Sequence, residues 1–171
     1  VTKILLYAPM LYHYDRGWGP PTCPDTWYFE WQWDLHNFFL ERKDLGVIWK
    51  APPRGSALQC PIRHLHNNRI FENSNIFYTT GKLTKWLKRA DMVFVDYPST
   101  PMFETWDMGL PVLCITPSWD VNEIRPHLFS QLCLYCIEPN EAYRKIVFSM
   151  IDEWIKNPEI KSEVEGVQCP V

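Results

Sequence analysis

Short apolar runs of strand length recur along this chain, each followed by a stretch whose apolar residues fall at helical spacing. That alternation leaves few architectures open, because strands separated by helical crossovers return parallel to one another and need helices on both faces of the sheet. The predicted strands are Ile4 to Ala8, Val47 to Ala51, Ile76 to Tyr78, Met92 to Val95, Pro111 to Ile115 and Leu132 to Ile137. Helices are predicted from near Thr26 to about Asp44, where Trp27, Trp31, Leu35, Phe38 and Phe39 fall near helical spacing, and over Lys82–Arg89, Pro101–Met108, Asn122–Phe129 and Glu141–Ile155. Two stretches read as loop: Met10 to Asp25, rich in Gly and Pro, and Ser56 to Asn75, which carries no clear period. With 171 residues, 46% of them hydrophobic, one core is expected and no metal or disulfide staple is required. The expected fold is therefore α/β, a Rossmann-like parallel sheet with helices on both faces. Residues 1–156 form the domain, and the polar residues 157–171 form a tail or short helix.

Charge narrows the choice of partners. Seventeen Lys and Arg against 20 Asp and Glu give a formal charge of -3, which argues against a broad basic surface for nucleic acid. No apolar run approaches the ~20 residues that span a bilayer, and no basic, apolar and cleavable leader opens the sequence. The six cysteines are scattered, and the Cys133-Leu-Tyr-Cys136 pair sits in an apolar run without a second pair. They read as reduced, buried thiols of a cytoplasmic protein. His64 and His66 would share a face of a strand but have no third ligand at a suitable spacing, so no metal site is expected.

The sharpest candidate site follows the Met92–Val95 strand, in Asp96-Tyr97-Pro98-Ser99-Thr100-Pro101. Thr100 before Pro101 is a helix-start signal, so the hydroxyls of Ser99 and Thr100 would stand beside unpaired amide groups at the positive end of a helix. Such a turn at the carboxyl end of a parallel strand suits a phosphate, although the same residues suit a plain cap. Glu104, one turn further on, could accept the hydroxyls of a ribose or simply face solvent. Lys50 and Arg54 flank the end of the second strand, where cations could approach a pyrophosphate. In the loop after the first strand, His13 and Arg16, with Asp15 between them, are the candidates for a catalytic or phosphate-binding role. Neither G-x-x-x-x-G-K-[ST] nor G-x-G-x-x-G occurs.

Three blocks carry a family likeness: Ile4-Leu-Leu-Tyr7-Ala8-Pro9, Val47-Ile-Trp-Lys50, and Ala90-Asp91-Met-Val-Phe-Val-Asp96-Tyr97-Pro98-Ser99-Thr100 with Phe103-Glu104 and Gly109-Leu-Pro111-Val. In order and spacing they resemble the C-terminal donor-binding domain of CDP-glycerol glycerophosphotransferase-like, GT-B-type transferases. Two positions depart from that pattern: Pro98 replaces the first serine of a pair, and Ala51-Pro52-Pro53 stands where Lys-x-His-Pro is usual. The resemblance implies that Ser99 and Thr100 contact phosphate, Glu104 the ribose and Lys50 the pyrophosphate. It implies a nucleotide-sugar or CDP-polyol donor, CDP- or UDP-linked, as substrate rather than cofactor, used to build a cell-surface polysaccharide or glycan. It further implies that an N-terminal acceptor domain or partner subunit completes the enzyme, which would work at the inner face of the membrane without a transmembrane segment. The rival expectation is a non-catalytic nucleotide-binding or protein-interaction module of the same fold, since some of the nine tryptophans could form a partner surface.

Overall fold

The computed structural model describes residues 2–10, 23–51, 62, 74–116 and 130–158. Among them the sheet is six-stranded and parallel throughout: β1 (Lys3–Ala8), β2 (Leu45–Lys50), β3 (Ile76–Thr79), β4 (Met92–Val95), β5 (Val112–Thr116) and β6 (Ser130–Cys133). Its order is β3-β2-β1-β4-β5-β6. From β1 the chain thus builds outward to one edge, returns to the middle at β4, and builds outward to the other. The crevice between β1 and β4, at their carboxyl ends, is the topological switch point where such sheets hold ligands.

Alternation along each strand divides the core in two. Leu5, Tyr7, Val47, Trp49, Met92 and Phe94 face one side, against α1 (Asp25–Glu41) and α4 (Glu141–Lys156), through Trp31, Leu35, Phe39, Val147, Ile151 and Trp154. Leu6, Ala8, Ile48, Val93, Val95 and Cys114 face the other, against α2 (Leu83–Leu87) and α3 (Thr100–Asp107). The helices therefore cover both faces, as the alternation of the sequence requires.

Two arginines tie α4 to its surroundings. Arg42, just past α1, pairs with Asp152, and the buried Arg144 pairs with Asp34 of α1. Arg144 also donates to the carbonyls of Ile137 at 2.9 Å and Glu138 at 3.0 Å. These carbonyls belong to or follow a 3-10 turn over Leu134–Ile137, which corrects the strand predicted there. The strand stops at Cys133 because Cys136 and Ile137 turn under α4 and the guanidinium takes up their end of the backbone.

Helix α1 likewise ends at Glu41 rather than about Asp44. The Asn75 side-chain nitrogen lies 2.8 Å from the carbonyls of Phe39 and Arg42 and 2.7 Å from that of Leu45, so it satisfies the helix end and frees Leu45 to begin β2. The helix predicted over Asn122–Phe129, the polar tail beyond 158, and the histidines at 64 and 66 lie outside the described residues.

Candidate functional site at the carboxyl edge of the sheet

Parallel registers of Tyr7 with Trp49 and with Phe94 bring the carboxyl ends of β2, β1 and β4 side by side. Lys50, the last residue of β2, shares its sheet face with Ile48 and so points to the side carrying α2 and α3. Its ammonium donates to the Ala51 carbonyl at 2.7 Å. Burial pushes the Lys50 pKa below the ordinary lysine value, and the nearby charge of Glu104 opposes that shift. Two of the residues singled out from sequence, one at the end of β2 and one on α3, are therefore near enough for the charge of one to act on the other. The cation is half-buried, so an anionic ligand beside it would favour its charged form.

Helix α3 starts where the sequence signal puts it, with a one-residue change of roles. Ser99 holds the cap position in extended conformation (φ -150°, ψ 176°), and Thr100 is already helical with Pro101 behind it. The Ser99 carbonyl accepts from the Met102 amide at 2.9 Å, while its side chain makes no cap hydrogen bond. Ser99 is partly exposed and Thr100 exposed, so both hydroxyls are open to a ligand at the positive end of the helix. Glu104 lies one turn along the same helix and is partly exposed. Lys50, Ser99, Thr100 and Glu104 thus gather on one edge of the sheet. Arg54, His13 and Arg16 lie outside the described residues.

Sequence reasoning gave no role to the polar cluster behind this edge. Asp96 is fully buried where β4 ends. Its Oδ2 accepts from the hydroxyls of Tyr7, in a short bond, and Tyr28, at 2.8 Å; the Trp31 indole donates to Oδ1 at 3.4 Å. Burial raises its pKa from 3.8 to about 6, and the three donors only moderate the rise. Burial, followed by the negative field of Asp96, also holds the Tyr7 phenol above its ordinary pKa.

Tyr28 lies 3.0 Å from the Met10 carbonyl as well. Its one hydroxyl proton can serve only one of the two acceptors at a time, so the Asp96 carboxylate and the Met10 carbonyl share it. The cluster ties α1 to β1 and to the end of β4. The available sequence signal was an acid ending a wholly apolar strand, with tyrosines in β1 and on the inner face of α1.

Among the described residues no group of three or more His, Cys, Asp or Glu could hold a metal ion, and no helix is long and apolar enough to cross a membrane. Comparison with protein-family models, curated proteins and solved structures finds no match to this chain.

Proposed function

We propose that this chain is the donor-binding domain of a transferase that takes a glycosyl or polyol-phosphate group from a nucleoside diphosphate. The observation that carries the reading is the open start of α3 at the switch point of a parallel sheet, where Ser99 makes no side-chain cap bond. The diphosphate lies against the first amides of α3 with the hydroxyls of Ser99 and Thr100, and Lys50 balances its charge. Glu104 accepts the ribose hydroxyls.

In the transfer, an acceptor oxygen attacks either the polyol-bearing phosphorus or the anomeric carbon. The bond from that atom to the nucleotide phosphate breaks, and the nucleotide leaves with the electron pair. Lys50 and the helix start stabilise the charge that builds on it. The acceptor site and the base that takes the acceptor's proton belong to a second domain or subunit. Phe103, 53% exposed on α3 and packed edge-on to Trp106, offers apolar surface beside the site for such a closure.

The test is a thermal-shift and calorimetric screen against CMP, CDP, UMP, UDP, GDP and ADP, since a ligand of the folded state raises its apparent stability. A nucleoside diphosphate should stabilise the protein, CDP if the group moved is a polyol phosphate and UDP or GDP if it is a sugar. Binding should weaken as pH rises through the lowered pKa of Lys50, earlier than for an ordinary lysine, because the neutral amine no longer pairs with phosphate. Absence of any shift at millimolar nucleotide would instead favour a protein-interaction module of the same fold.

A further inference from the structure

On the α2 face four cations stand together. Lys82, Lys85, Lys88 and Arg89 line one shallow groove with Gly81 and Thr84. Lys85 lies on α2, Lys82 and Lys88 flank its two ends and Arg89 follows, all four exposed, while Trp86 and Leu87 turn inward. Among the described residues none of the four forms an ion pair, in a chain whose formal charge is -3. Such a concentration of uncompensated charge is repulsive by itself and is relieved by a dense array of anions.

Two aromatic residues mark what kind of anion array fits. Lys85 and Arg89 lie over the Trp86 ring at 5.1 and 5.3 Å, which fixes both cations beside the groove. The Trp86 side chain is 8% exposed, and its indole N-H is buried without an acceptor, against Gly81. Phe77, on the edge strand β3, packs 5.2 Å from the Trp86 ring yet remains 54% exposed. An apolar ring in solvent next to a cation-lined groove is the composition of a surface that rests in a lipid interface, with phosphate headgroups among the cations and the ring at the acyl boundary. A nucleic-acid strand fits less well, because Trp86 is buried and Phe77 alone is a single exposed ring beside the groove, where successive bases stack on several.

We infer that Lys82, Lys85, Lys88, Arg89 and Phe77 form a docking face for an anionic phospholipid bilayer. It is separate from the nucleotide site and does not depend on that reading. Held this way, the edge strand meets the membrane through its side chains, and the carboxyl edge of the sheet stays open to soluble ligands.

The test is sedimentation of the protein with vesicles of phosphatidylcholine, alone or mixed with phosphatidylglycerol, at low and high salt. The protein should sediment with the mixed vesicles only, and salt should release it. Neutralising Lys85→Gln and Lys88→Gln together should lower partitioning about 30-fold, at roughly 1 kcal/mol per cation near an anionic surface. Phe77→Ser should weaken binding with little change in its salt dependence. These side chains are exposed, so unchanged melting curves would show the variants folded. The inference is overturned if the mixed vesicles fail to bind at low salt, if the pure phosphatidylcholine vesicles bind equally, or if the double variant binds like the parent. Binding of single-stranded RNA under conditions where vesicles do not bind would likewise replace the bilayer with a different polyanion.

Discussion

At Asp96 the protein keeps a carboxyl group wholly out of water, ringed by two phenols and an indole rather than by a cation. Cys114 of β5 lies close enough for the Asp96 charge to add to the rise that burial imposes on its thiol pKa. The Asp96 carboxyl binds its proton more tightly in the folded chain than in the unfolded one, so its contribution favours folding in acid. That contribution is full below the unfolded value of 3.8 and is lost as pH rises through about 6. The loss amounts to about 3 kcal/mol by neutral pH. Asp96→Asn cannot ionise, so urea unfolding across that range should show the wild type losing stability relative to the variant by about that amount; parallel curves would contradict it.

The places of Ser99, Thr100, Glu104 and Lys50 in the fold were legible in the sequence because helix starts and strand ends are local patterns. Asp96 was hidden because its meaning comes from Tyr28 and Trp31, some 65 residues away in the chain, and no local pattern reports such a distance.

Among the elements, the strands were the most readable, since runs such as Met92–Val95 are apolar on both faces and can only be buried. Ends decided by a distant side chain were less so. Asn75 closes α1, and Arg144 converts an apolar run into the 3-10 turn at Leu134–Ile137. Arg144 satisfies two backbone carbonyls and the Asp34 carboxylate together. Arg144→Leu should therefore cost about 3 kcal/mol in urea unfolding, through unpaired groups rather than lost volume. Nucleotide affinity should be unaffected, because this seam joins α1 and α4 and the proposed site lies at α3. A variant as stable as the parent would show that water satisfies those carbonyls equally well.

For the whole molecule, one topological fact organises the rest. The chain turns back at β1 and β4, which aligns the ends of three strands and brings the end of β2 and the start of α3 to the same edge of the sheet. The buried Asp96 cluster holds the α1 side of that crevice, and the open helix start lies on the other. The central claim is that a nucleoside diphosphate binds there through Ser99 and Thr100, and calorimetry of CDP and UDP with the wild type and with the Ser99→Ala, Thr100→Ala double variant tests it most directly. Both hydroxyls are surface groups without a cap bond, so the variant should melt as the parent does. It should bind about 10-fold or more weakly, the loss expected for two hydrogen bonds to a charged phosphate. A folded double variant that binds nucleotide as tightly as the parent would contradict the account.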